Sequence, residues 1–170
     1  MRKFTAILGS MLFFVIAPCT AGFVVPWWIA GWRMGAPFMG ETVFRAVGVL
    51  LVLTGAVPII ESFGRFAVVG LGTPAPIAPP KHLVVTGFYR YVRNPMYVGV
   101  IAVILGNALV LGNARIFFYA AIFALAAAVY VRLYEEPTLR RLFGPEYREF
   151  CAHVPRWVPR LTPWIGATRE

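Results

Sequence analysis

Aspartate is absent from the 170-residue sequence, and all seven acidic residues are glutamates. Divalent-metal centres and carboxylate dyads therefore start with few ligands, and no metal site is expected. The two histidines are His82 and His153, and the two cysteines Cys19 and Cys151. A zinc site would need all four to converge from distant parts of the chain. One cysteine in an apolar segment and one near the C-terminus give no disulfide framework. Nothing pairs an exposed serine or cysteine with a histidine and a carboxylate, so covalent catalysis has no support. Charged residues make up only 14% of the chain, below the share of a typical soluble domain.

What is present is apolar and basic. Hydrophobic residues reach 59%, sixteen Lys and Arg give a formal charge of +9, and the mean hydropathy is +0.73. Such a charge first suggests nucleic acid. Here the basic residues lie between long apolar segments, and a membrane accounts for both features together, so no nucleic-acid partner is expected.

Four membrane spans are expected. The first runs from Phe4 to about Trp28 behind Arg2 and Lys3. A charged start and apolar stretch also fit a signal peptide, but no small-x-small cleavage site stands at the right place. Trp27, Trp28 and Trp32 fit an interfacial cluster at the end of a retained span. A second span covers about Thr42 to Ile60, with Arg45 snorkelling near its start and Pro58 predicting a kink or early exit. The third and fourth, Pro95 to Gly112 and Ile116 to Leu133, are separated only by Asn113, Ala114 and Arg115, which predicts an antiparallel helical hairpin. Each is about 27 Å long as a helix, close to the hydrocarbon thickness.

An even number of spans puts both termini on one side. Thirteen basic residues then fall on that face, against Arg33, Arg45 and Arg115 on the other. The excess places the termini and the 62–94 loop in the cytoplasm. The fold class is thus all-α, an integral membrane protein of four transmembrane helices with an interfacial cytoplasmic helix and a C-terminal strap. Residues 1–63 form an N-terminal two-span region and residues 64–170 a core carrying the chemistry.

Two cytoplasmic segments hold unusual residues. The stretch from Gly64 is rich in glycine and proline, including Gly70, Gly72, Pro74, Pro76, Pro79 and Pro80, and is expected to be a rigid surface connection. It leads into Lys81 to Gly99, where Tyr89, Arg90, Tyr91, Arg93 and Asn94 crowd the start of the third span. Asn94 as cap and Pro95 at the first helical position predict a helix N-terminus whose free N–H groups suit an anion. Gly87 and Gly99 leave room for a ligand, although helix packing explains Gly99 equally well.

The second segment opens on Glu135-Glu136-Pro137. Arg132 lies one helical turn before the pair, so an intrahelical salt bridge accounts for one carboxylate, Glu136, and not for both. Pro137 is expected to draw Glu136 out of helical geometry. Beyond it, Leu139, Leu142, Phe143, Tyr147, Phe150, Cys151 and Val154 recur at the spacing of an amphipathic helix, interrupted at Gly144-Pro145. Cys151 falls on its apolar stripe as a packing residue, and His153 at its rim. The tail from Val154 to Trp164, with Arg156 and Arg160 among its prolines, reads as an interfacial strap.

Tyr89-Arg90-Tyr91-Val92-Arg93-Asn94-Pro95-Met96-Tyr97-Val98-Gly99, the hairpin, Glu135-Glu136-Pro137, Phe143-Gly144-Pro145-Glu146-Tyr147 and Val154-Pro155-Arg156 occur in that order. Together they resemble the isoprenylcysteine carboxyl methyltransferase and phospholipid methyltransferase superfamily over residues 64–164. Asn94 stands where many carboxyl methyltransferases carry histidine and looks more like the phospholipid branch. The Phe-Gly-Pro-Glu-Tyr and Val-Pro-Arg-Trp motifs look more like the bacterial carboxyl-methyltransferase-like branch.

The resemblance implies a membrane-embedded methyltransferase of a bacterial inner membrane. It would use S-adenosylmethionine as cofactor, without a soluble Rossmann-like fold. Carried over, the cofactor contacts are His82, Leu83, Val84, Gly87, Tyr89, Arg93, Asn94, Pro95, Tyr97, Gly99, Glu135 and Glu136. Arg90, Arg93, Glu136 and Arg156 are the expected catalytic residues. The implied acceptor is lipophilic, foremost the carboxylate of an isoprenylcysteine-like substrate, which is already a nucleophile and needs only orientation. A phospholipid amine is the alternative and would have to lose a proton. A non-enzymatic membrane scaffold leaves the paired glutamates without a task. A transporter has neither polar residues recurring through the spans nor an inverted repeat in its favour.

Overall fold

A computed structural model of the chain describes residues 15–68 and 83–165, and these are helical with no strand among them. The helices are α1 (Val25–Ile29), α2 (Val43–Val68), α3 (Pro95–Leu111), α4 (Ala114–Tyr130) and α5 (Glu136–His153). Wide π-type turns, Val15–Val24 and Val131–Glu135, lead directly into α1 and α5. In both places the second residue of the following helix is proline, Pro26 or Pro137. A proline ring collides with the carbonyl one turn before it, and a widened turn moves that carbonyl away.

Among the described residues, two stretches are long and apolar enough to cross a membrane, Val43–Arg65 and the continuous run Ala114–His153; Ile16–Ile29 and Pro95–Leu111 are apolar but shorter. The described residues divide into two compact units, one of residues 60–68, 83–95 and 129–165, the other of residues 15–59 and 96–128.

In the second unit, α2 and α3 meet along glycines seven residues apart on each helix. A Cβ at Gly55 would lie 2.7 Å from the Gly99 carbonyl oxygen, and one at Gly48 2.7 Å from that of Gly106. Backbones this close are how helices associate when lipid removes any hydrophobic drive between them. Packing against Gly55 thus accounts for Gly99. The hairpin turn between α3 and α4 is as tight as its sequence predicts. Gly112 takes a left-handed φ of 63°, and the Asn113 side chain accepts the Arg115 N–H at 3.0 Å, capping α4.

Pro58 does not end α2. The helix continues to Val68, beyond the expected end at Ile60. Membrane helices tolerate proline because neighbouring groups re-satisfy the backbone.

The same logic is visible around Pro26, which has no N–H to offer the carbonyls of the preceding turn. Tyr119 donates its hydroxyl to Ala21 O at 3.0 Å, and the buried Asn107 amide donates to Gly22 O at 2.9 Å. Asn107→Leu is expected to lower stability by about 1–2 kcal/mol in thermal melts of the detergent-solubilised protein, because it strands a buried carbonyl. A melt identical to wild type would show that Gly22 O needs no partner.

Candidate functional site

The first unit gathers the two motif segments and the tail. Its apolar centre is Tyr147, Phe150 and Val154 of α5 and its end, against which Leu83, Val85, Leu139, Phe143, Cys151 and Trp164 pack. The amphipathic spacing therefore selects the correct face, with one exception: Leu142 is 52% exposed. Gly144, with φ 50° and ψ −119°, breaks the helix where the Gly-Pro pair predicts.

The strap lies along the segment before α3 in antiparallel order. Arg90 and Trp164 exchange two bonds, Arg90 Nε to Trp164 O and Trp164 N to Arg90 O, both 2.9 Å. Arg160 N donates to Tyr91 O and Arg93 N to Pro155 O, each at 2.9 Å. The Asn94 amide, buried at the entrance to α3, donates to Arg156 O at 3.1 Å. At the strap's start, His153 is exposed and stacks on Trp164 with ring centroids 5.3 Å apart. Arg90, expected among the catalytic residues, here uses its guanidinium to fasten the strap.

At the centre stands Glu136, whose side chain is 6% exposed. Arg156 grips it with two bonds, Nε to Oε1 at 2.6 Å and Nη2 to Oε2 at 3.0 Å. Arg93 Nη1 adds a third at 3.0 Å and also donates to Cys151 Sγ at 2.9 Å. Arg140 stands 3.8 Å off and is largely exposed, an arrangement that contributes little. Arg93 Nε is buried and makes no hydrogen bond among the described residues.

These contacts correct two expectations. The partners of Glu136 are Arg93, Arg156 and Arg140, whereas Arg132 is exposed. Pro137 also leaves Glu136 helical, at φ −61° and ψ −44°, because the wide turn before it absorbs the proline.

Burial alone would raise the Glu136 carboxyl. The Arg156 hydrogen bond and the charges of Arg93, Arg156 and Arg140 outweigh it and hold the group below the ordinary carboxylate value. A depressed carboxylate contributes stability that is present above its unfolded pKa of about 4.3 and lost as pH falls through the folded value. Melting temperature is thus expected to fall more steeply on acidification below about pH 4.5 in wild type than in Glu136→Gln. Parallel curves would remove Glu136 as the source.

Of the other expected cofactor contacts, Val84, Tyr89, Asn94 and Pro95 are buried in this unit, and Leu83, Gly87 and Glu135 are half-buried. Burial raises the Tyr89 hydroxyl far above its ordinary pKa. Tyr97 and Gly99 belong to the second unit. His82 and the glycine- and proline-rich connection from Gly70 to Pro80 lie outside the described residues. Sequence reasoning missed Cys151 as an acceptor for Arg93, and missed the carbonyls of Pro155, Arg156 and Trp164 as the strap's fastenings; backbone acceptors leave no mark in side-chain patterns.

A family profile described as phospholipid methyltransferase matches residues 43–146. It takes in Arg93, Asn94, Glu135 and Glu136 and stops short of Arg156 and the strap. No curated protein and no solved structure matches the chain. The match extends over more than half of the sequence, over all of the apolar stretch Val43–Arg65 and over most of Ala114–His153. The protein therefore belongs to the phospholipid methyltransferase family, a family of methyltransferases within the isoprenylcysteine and phospholipid methyltransferase superfamily.

Proposed function

We propose that the protein methylates the carboxylate of an isoprenylcysteine-like lipophilic acceptor, drawing on S-adenosylmethionine, at the cytoplasmic face of a bacterial inner membrane. The observation that carries this reading is the convergence of Arg93 and Arg156 on the single buried carboxylate of Glu136. Two guanidinium groups in contact with one carboxylate leave a net positive charge, which suits an anionic partner. The buried Arg93 Nε–H, with no partner among the described residues, adds a donor that a ligand oxygen would satisfy.

The donor set fits S-adenosylmethionine, which carries a carboxylate at one end and positive groups elsewhere. Leu83, Val84, Tyr89, Arg93, Asn94, Pro95 and Glu135 are the residues that would hold it. When bound, it supplies an electrophilic methyl group. Three hydrogen bonds from arginines occupy most of the accepting capacity of Glu136, so its task is to fix those arginines. Glu135 is the carboxylate assigned to the cofactor's positive groups. Arg93 and Arg156 orient the acceptor carboxylate, which is ionised near neutral pH and needs no general base. Apolar surroundings keep water from the transfer.

The membrane arrangement proposed is four spans with both termini in the cytoplasm, supported by the distribution of thirteen basic residues against three. A second reading, N-methylation of a phospholipid amine, is favoured by the description of the matching family. An amine would have to shed a proton before it could attack.

The deciding experiment offers labelled S-adenosylmethionine to the purified protein with a prenylcysteine analogue, with phosphatidylethanolamine, and with a membrane lipid extract. A base-labile product from the analogue supports the carboxyl ester. A base-stable product from the phospholipid supports the second reading, and no labelled product in any arm removes both.

A further inference from the structure

The segment that delivers Arg93 and Asn94 has two moorings. The strap holds its C-terminal part, from Arg90 to Asn94. Its N-terminal part, the short 3-10 turn Gly87–Arg90, rests on the end of α2. Glu61 Oε2 accepts the Phe88 N–H at 3.1 Å, and Glu61 Oε1 accepts Arg65 Nε at 2.6 Å. A Cβ built on Gly87 would run into both Glu61 Oε1 and Arg65 Nε, and Gly87 holds a φ of +58°. The missing side chain at Gly87 thus lets the turn sit directly on the ion pair.

We propose that Glu61 is a positioning residue for methyl transfer, fixing through the Phe88 N–H the turn that sets where Arg93 and Asn94 stand; this rests on the function proposed above. The first N–H groups of a helical turn have no partner within it. The Phe88 N–H is of this kind, while the next amide, Tyr89 N, already bonds to Thr86 O. A carboxylate suits the position because its two oxygens serve two donors at once, one on the turn and one on its own helix. The charged acceptor also makes the bond to Phe88 stronger than a neutral one.

Glu61→Ala removes the mooring and Glu61→Gln keeps an oxygen for Phe88. Glu61→Met, similar in length and without a strong acceptor, replaces the alanine variant if that one does not fold. Hydrogen exchange of the detergent-solubilised protein is the first readout. In Glu61→Ala the peptide covering residues 86–92 is expected to lose protection while peptides of α4 keep theirs, and Glu61→Gln restores most of it. The second readout is S-adenosylmethionine binding, expected to weaken on the order of tenfold in Glu61→Ala and much less in Glu61→Gln. With cofactor saturating, kcat changes less than the affinity does.

Unchanged exchange at residues 86–92, or protection lost evenly along the chain, overturns the proposal, as does a glutamine variant as impaired as alanine. Wild-type protein that binds no S-adenosylmethionine would count against the proposed function, and the exchange experiment would still decide whether Glu61 holds the turn.

Discussion

Glu136→Ala is expected to abolish saturable S-adenosylmethionine binding and to lower unfolding stability by about 3–5 kcal/mol. Both effects follow from what the carboxylate holds. Arg93, 12% exposed, bonds to Oε1, and Arg156 reaches both oxygens from the strap. Without Glu136, two guanidinium groups face each other with no counter-charge, and the cost is the penalty of leaving buried charge unpaired. Arg156 would swing away, loosening the strap whose backbone also receives the Asn94 amide. Chemical unfolding in detergent and equilibrium binding of labelled cofactor measure the two effects. Glu136→Gln, which keeps the volume, covers the case in which alanine prevents folding. Arg93→Ala should weaken cofactor binding sharply, whereas Arg132→Ala and Arg140→Ala should each change stability by no more than about 0.5 kcal/mol. Normal affinity in folded Glu136 and Arg93 variants would sink the site assignment.

The contrast between Arg132 and Arg156 shows what the sequence could and could not reveal at this site. One helical turn separates Arg132 from Glu136, so a local pairing is the natural expectation. The actual grip comes from Arg93, 43 positions earlier, and Arg156, 20 positions later. Both arginines stand in the motifs that mark the segment as chemical, so their importance was visible. Their convergence on one carboxylate was not, because it depends on the break at Gly144 and on bonds from the Arg93 backbone N–H and the Asn94 side-chain amide to carbonyls of the strap.

Legibility of the fold followed the same division. The hairpin of α3 and α4 could be drawn almost to the residue, since a joint of Asn113 to Arg115 between two apolar runs permits little else. The prolines were harder. Pro58 and Pro137 both argued for an interruption by their local chemistry. One helix passes through its proline, and the other widens its turn immediately before it. The space of one additional residue in a π-type turn is a tertiary accommodation that a proline rule applied residue by residue does not anticipate. Asn107 was likewise unremarkable as a single amide in an apolar run, until the missing N–H of Pro26 gave it a carbonyl to satisfy.

Gly87→Ala is expected to be as damaging to the site as many charge removals, and its cost can be divided. A left-handed backbone costs a non-glycine residue about 1–2 kcal/mol, and forcing a methyl group into a packed contact adds about 1–3 kcal/mol. The second part arises only because Glu61 and Arg65 already occupy the space. Removing the Glu61 side chain should relieve its share of that contact and release Arg65 from the ion pair, so Gly87→Ala should destabilise a Glu61→Ala background by less than it does the wild type. In-contact residues commonly show coupling of about 0.5–3 kcal/mol, whereas independent sites add. Unfolding free energies of the two single variants and the double variant supply the cycle. Strict additivity would mean that the turn does not rest on the Glu61–Arg65 pair. A positive coupling would locate the strain at the mooring of the segment that carries Arg93 and Asn94. The cost of Gly87→Ala that remains in the Glu61→Ala background would then contain the left-handed conformation, about 1–2 kcal/mol, and whatever contact Arg65 keeps.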